Sequence, residues 1–157
     1  MGSQSKIDLA YVAGFLDGDG SLMLQIKKRS DGKTKKRFMA TICFYQDSRH
    51  EEPLHWIHKV LNIGYISKRI DGMSELRING FKQVRDVLKG LVKFIKFKKV
   101  QSQVLIAATE ILSKNKQLTR SQLVKLVDCI LKIQGSNYVT KRKRTQDELY
   151  KILDLTP

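Results

Sequence analysis

Leu9, Val12 and Leu16 recur at helical spacing behind Ser5 and Asp8, either of which suits a helix N-cap. They predict a helix that ends near Asp17. From Ser21 the period drops to two. Leu22, Leu24 and Ile26 fall on one face of a strand, and Met23, Gln25, Lys27 and Arg29 on the other. The turn-forming run SDGKTK at 30–35 leads into a second alternating strand, with Phe38, Ala40, Ile42 and Phe44 on one face and Arg37, Met39, Thr41 and Cys43 on the other. A helix over Glu52–Asn62 follows. The stretches GYISKRI and MSELRING, joined at Asp71-Gly72, predict a second hairpin with Ile66, Ile70, Leu76 and Ile78 on its apolar face. Helical spacing then resumes over about 81–93, 97–113, 119–134 and 146–154, as in Val84, Val87, Leu88 and Leu91.

This order, α-β-β-α-β-β-α and then more helices, predicts an α+β fold whose four antiparallel strands carry helices on one face. A single domain over 1–157 is expected, with a core at about 8–113 and a C-terminal helical extension at about 119–154, since no repeat or linker divides the chain. The other sheet face would carry Gln25, Lys27, Arg29, Arg37, Thr41, Tyr65, Ser67, Arg69, Glu75 and Arg77. Long side chains with paired donors or acceptors dominate that set. They suit base edges in the major groove of DNA, which admits a β-ribbon.

Charge sharpens the picture. The net charge is +15, and three stretches, 27–37, 89–99 and the KRKR of Lys141, Arg142, Lys143 and Arg144, together account for all of it. Clustered basic segments on a balanced background point to a polyanion partner rather than to general solubility. The KRKR run suits phosphates outside the base-reading surface. With only Cys43 and Cys129, a disulfide framework is not expected. There is no apolar run long enough to span a bilayer and no signal-peptide pattern, so the expected setting is intracellular, with prokaryotic cytoplasm and organelle not distinguished.

Candidate chemistry gathers at the end of the first helix. Ala10, Ala13, Gly14 and Asp17 lie at i, i+3, i+4 and i+7, a stripe of mostly small residues that lets another backbone come close. Gly18 and Gly20 flank Asp19 where helix gives way to strand. A calcium loop beginning at Asp17 fails because Lys28 stands where the bidentate glutamate belongs. His50, His55 and His58 lack a suitably spaced cysteine, so a zinc site is not supported.

The stretch VAGFLDGDG, Val12–Gly20, resembles the signature of the LAGLIDADG homing endonucleases, and its setting before a β-hairpin agrees. A single copy of the motif resembles the homodimeric, intron-encoded branch of that family. The resemblance implies a saddle-shaped sheet and two subunits packed through their motif helices at Ala10, Ala13, Gly14 and Asp17. It further implies that Asp19, with the backbone carbonyl of Gly18, binds Mg²⁺ or another divalent cation such as Mn²⁺. Gln46 matches a polar residue that orders water or metal, and Lys98 a basic residue that stabilises phosphate charge, with Lys99 its neighbour in register. The implied activity is a metal-dependent double-strand break in a long, near-palindromic DNA site, leaving 3′ overhangs. An intron RNA maturase, or a catalytically inactive DNA-binding protein of the same fold, remains the alternative.

Overall fold

The structure, a computed structural model, describes residues 5–28, 36–137 and 143–156. Arg29, Lys141 and Arg142, expected above to touch DNA, lie outside these residues. Among the described residues the chain forms six helices and four strands. They are α1 (Lys6–Asp19), β1 (Gly20–Lys28), β2 (Lys36–Asp47), α2 (Glu52–Leu61), β3 (Tyr65–Lys68), β4 (Met73–Asn79), α3 (Phe81–Leu91), α4 (Lys99–Lys114), α5 (Arg120–Ser136) and α6 (Gln146–Ile152). A short helical turn, Ser48–His50, joins β2 to α2. No helix among them is long and apolar enough to cross a membrane.

Ser5 caps α1, its hydroxyl accepting from the amide of Asp8 at 3.0 Å. The helix runs two residues beyond the expected end, to Asp19, and passes directly into β1. Gly20 makes that join possible through space, not through an unusual φ. A Cβ there would lie 2.4 Å from Leu16 Cδ1 and 2.8 Å from the Leu16 carbonyl oxygen.

The sheet is wholly antiparallel, in the order β1-β2-β4-β3. The alternation read from sequence decides which side is buried. Leu22, Ile42 and Ile78 stand in one cross-strand row, and Phe44, Leu76 and Ile66 in the next. Against this inner face pack Val12 and Leu16 of α1, Leu54 and Ile57 of α2, and Val84 and Leu88 of α3. Fully burying a side chain such as Phe44 stabilises the fold by about 1.5–3 kcal/mol, so the layer is held chiefly by this face.

Two local expectations change. Ile70 is fully exposed rather than part of the apolar face. The β3–β4 connection closes with the Arg69 amide donating to the Met73 carbonyl, leaving Ile70, Asp71 and Gly72 as a three-residue loop. Gly72 takes φ +81 there, and the extra loop residue removes Ile70 from the strand alternation. β2 also continues through Tyr45 and Gln46 to Asp47, three residues past Phe44.

The C-terminal helices cover the free edge of β1. Thr119 and Gln122 form a reciprocal capping box on α5, and Thr145 caps α6. Arg144 donates from its guanidinium to the Ile26 carbonyl at 3.4 Å, and its backbone exchanges hydrogen bonds with the Gln134 side chain at 3.0 and 3.3 Å. Lys36 reaches the Ile152 carbonyl. The Arg144 contact takes up a carbonyl of β1, the edge strand, that would otherwise be open to pairing with another strand.

Candidate catalytic centre and nucleic-acid interface

The last turn of α1 carries two aspartates and no basic residue of its own, an arrangement that the helix dipole disfavours. Tertiary contacts offset this for Asp17 and leave Asp19 alone. Asp17 Oδ2 accepts from the backbone amides of Lys96 at 2.7 Å and Phe97 at 3.3 Å, and Oδ1 from that of Lys98 at 3.0 Å. The Lys98 ammonium returns to donate to the Asp17 carbonyl at 2.6 Å. A carboxylate on one helix end thus gathers the loop that opens α4, and a cation closes over that helix's C-terminus. Lys99 points elsewhere, its Nζ donating to the Val92 carbonyl at 2.9 Å. Of the two adjacent lysines, Lys98 is the one held at the motif.

Asp19, by contrast, is exposed, and its carboxylate has no hydrogen-bond or ion-pair partner among the described residues. The final carbonyls of a helix lack intrahelical donors, so the helix end that carries Asp19 also carries backbone oxygens open to a ligand. Among the described residues no three His, Cys, Asp or Glu side chains converge on a metal. The chain alone therefore offers Asp19 and backbone oxygen, such as that of Gly18. Hard oxygen donors in small number suit Mg²⁺, which keeps much of its water shell.

Gln46 continues β2 two residues past the pairing of Gly20 with Phe44. Its Oε1 accepts from the Asp47 amide at 2.9 Å. Asp47 and Glu51, beyond it, are neutralised locally. Arg49 donates to both Asp47 oxygens, at 3.0 and 2.7 Å, and these hydrogen bonds hold the Asp47 carboxyl far below the usual carboxylate range. Glu51 accepts from the Ser74 hydroxyl at 2.6 Å and lies 3.4 Å from His55 Nε2 and 3.7 Å from Lys68 Nζ. The Ser74 hydrogen bond, ahead of the others, lowers its pKa. Asp47 and Glu51 are therefore paired, while Glu52 is exposed with no ion-pair partner among the described residues.

The outer sheet face is built as the alternation requires. Lys27 stands directly opposite Arg37, and both are exposed. Like charges in opposed positions are mutually destabilising, so this end of the hairpin gains from an anion between them. Gln25 is half-buried, Ser67 likewise, and Tyr65 and Arg69 are exposed. Arg69 pairs with Asp71 at 2.7 Å and lies 6.0 Å over the Tyr45 ring. Arg77 pairs with Glu75 at 3.1 Å.

Two members of the expected reading set are not at the surface. Thr41 is only 1% exposed and donates to Asn79 Oδ1 at 2.8 Å, while Glu75 is 8% exposed beneath Arg77. Both sit on interior strands, β2 and β4, each flanked by a strand on either side whose side chains help to cover them. Tyr45 and Asn79 belong to this face and were not in the set. Tyr45 bonds Ser21 through its hydroxyl at 3.0 Å, and Asn79 reaches the Tyr65 hydroxyl at 3.4 Å. Both continue the period-two pattern and were legible in it. Arg144 is also partly committed, to the Ile26 carbonyl, whereas Lys143 is exposed.

The small-residue stripe is rotated from its expected place. Ala13 is fully buried in the chain's own core and has no surface to offer a second helix, and Asp17 is occupied by the α4 loop. The residues left outward are Ile7, 82% exposed, Tyr11, 59% exposed, Gly14 and Gly18, with Ala10 half-buried beside them. A Cβ at Gly14 or Gly18 would meet nothing within 4 Å. Trp56 packs edge-on to Tyr11 at 5.3 Å and extends the apolar surface.

Comparison with known proteins agrees with this geometry. Residues 12–105 match the family model described as LAGLIDADG endonuclease. The chain is 30% identical over 101 residues to DNA endonuclease I-CvuI of Chlorella vulgaris, covering 64% of this chain and 63%, under two thirds, of that protein. It is 27% identical over 150 residues to DNA endonuclease I-CreI of Chlamydomonas reinhardtii, covering 96% and 91% of the two chains. The structure of I-CvuI, solved with the I-CreI target in the presence of Mg, superposes with a TM-score of 0.84 at 25% identity, over 96% of this chain and 94% of that one. The archaeal I-Vdi141I, complexed with DNA, matches in fold with a TM-score of 0.80 at 21% identity, over 95% and 96%. A family match across more than half the chain, beginning within the helix that ends at Asp19, shows that this chain belongs to the LAGLIDADG endonuclease family.

Proposed function

We propose that the chain is a homodimeric homing endonuclease that makes a divalent-metal-dependent double-strand break in a long, near-palindromic DNA site, leaving 3′ overhangs. The observation that carries this reading is the exposed carboxylate of Asp19, without a partner among the described residues, on the same helix end that holds the Lys98 ammonium. Two copies apposed through Ile7, Tyr11, Gly14 and Gly18 would bring two Asp19 residues together beneath a continuous pair of sheet faces. Glycines whose Cβ positions are open support such a close approach of backbones.

Asp19 and the Gly18 carbonyl would hold Mg²⁺ or Mn²⁺. When bound, such a cation polarises the phosphodiester and lowers the pKa of coordinated water. The chain's own residues supply the rest. Lys98, fixed by the Asp17 carbonyl, stabilises negative charge developing on the phosphate. Gln46 orients water at the scissile group through its amide. Lys27, Arg37 and Lys143 bind flanking phosphates, which fixes the position of the duplex without reading it.

Asp19→Asn is the test. The variant is expected to bind DNA with wild-type affinity in a gel-shift titration and to lose cleavage in Mg²⁺. Cutting at an unchanged rate would remove Asp19 from the centre and with it this reading.

A further inference from the structure

Resting on the reading of the outer sheet face as a DNA-binding surface, the geometry points to Arg77, braced by Glu75, as a residue that selects guanine at one position of each half-site. Glu75 and Arg77 lie two apart on β4 and so share a face. β4 is an interior strand, between β2 and β3, so the pair stands at the middle of the sheet rather than at its rim. Arg77 Nε donates to Glu75 Oε1 at 3.1 Å, and the two side chains are only 25% and 11% exposed. A recessed ion pair contributes little net stability once desolvation is counted. Its occurrence at the centre of this face calls for another reason.

The brace leaves a specific tool free. With Nε engaged, the guanidinium plane is restrained, and its two terminal amino groups have no hydrogen-bond partner among the described residues. They form a planar fork of paired donors. Guanine presents the matching pair of acceptors, O6 and N7, on its major-groove edge, and no other base does. The neighbours in the same cross-strand row do not compete for that edge. Cys43 is fully buried on one side, and Tyr65 offers a single hydroxyl on the other.

A phosphate contact fits the same atoms poorly. The Glu75 carboxylate stands within hydrogen-bonding distance of the guanidinium, and an arriving phosphate would meet that like charge. A neutral base edge would not. Lys27 and Arg37 show the contrasting arrangement, as two exposed cations that stand directly opposite each other and have no acidic partner among the described residues. Charge on this face is thus divided into opposed, exposed cations at the hairpin end and a braced fork at the centre.

The experiment is selection from a randomised, near-palindromic duplex library by the wild-type protein, sequencing the bound fraction, repeated with Arg77→Lys, Arg77→Gln and Glu75→Gln. Wild type should enrich guanine at one position per half-site. Arg77→Lys keeps the charge but loses the fork, so it should bind the library while discrimination at that position falls about ten- to a hundredfold, with other positions unchanged. Arg77→Gln should move the preference there towards adenine, and Glu75→Gln should weaken the guanine preference at the same position without abolishing binding. The thermal midpoint of each variant, measured alongside, separates misfolding from altered reading. Uniform weakening across all sequences, with a shallower salt dependence and no change in base preference, would make Arg77 a phosphate contact and overturn the inference. If the wild-type protein enriches no DNA sequence at all, the DNA-binding reading itself fails.

Discussion

Replacing Asp17 with alanine removes one carboxylate and, with it, three backbone contacts at 2.7, 3.0 and 3.3 Å that tie the Lys96–Lys98 loop to α1. The two shorter contacts use different oxygens and count as separate anchors. Hydrogen bonds to a charged acceptor contribute about 1.5–3 kcal/mol each, and partial exposure of this loop favours the low end, which gives a loss of roughly 2–3 kcal/mol. For a chain of this size that corresponds to a fall in Tm of roughly 5–10 °C. Asp17→Asn keeps one acceptor oxygen and presents an amide to the other donors, so it should lose about half as much. The functional consequence is separate. The Asp17 carbonyl that receives the Lys98 ammonium survives either change, but the loop placing Lys98 does not stay fixed. DNA affinity should hold while the single-turnover cleavage rate falls, less in Asp17→Asn than in Asp17→Ala, and less in both than in Lys98→Ala. Thermal melts with single-turnover kinetics on the same preparations measure both effects. An alanine variant that melts within about 1 °C of wild type and cuts at full rate would refute the account.

Three further outcomes follow from other parts of the molecule. Gly14→Leu should leave each chain folded and raise its helix stability by up to about 1 kcal/mol, because no atom of the described residues lies within 4 Å of a Cβ there, yet abolish self-association in sedimentation; a dimer that persists would place the interface elsewhere. Glu51 has a lowered pKa in the fold, so its carboxylate stabilises the native state above the ordinary glutamate value and loses that contribution as pH falls through the native one. Glu51→Gln should therefore be less stable than wild type at neutral pH and converge with it as pH falls through the lowered native value; a constant difference in denaturant midpoint from neutral to acid pH would contradict the pairing with Ser74, His55 and Lys68. Neutralising both Lys27 and Arg37 should lower the slope of log affinity against log salt by about two, and an unchanged slope would take them off the phosphate backbone.

Period and punctuation in the chain were sufficient for the layout of the fold. Alternation from Leu22 to Ile26 and from Phe38 to Phe44 determines which face is buried, because successive strand residues point to opposite sides whatever surrounds them. Ser5, Thr119 and Gln122 mark helix starts because capping is settled within one turn of chain. The motif helix was readable for the same reason, although it ends at Asp19 rather than near Asp17, and Gln46 lies within β2 rather than after it.

What needed the tertiary structure was everything that depends on which neighbour arrives from far along the chain. Ala13 and Gly14 are adjacent and nearly equal in size, but only packing against the core distinguishes the buried one from the open one. Lys98 and Lys99 are chemically identical in sequence, and the Asp17 carbonyl, 81 residues away, separates them. Thr41 and Glu75 alternate correctly yet are covered, because strand order puts them under neighbours from two other strands. Local spacing sets direction, since each residue's orientation follows from its own backbone. Exposure and partnership are collective, and so only the assembled fold decided that Asp17 would hold the chain together and Asp19 would stand free.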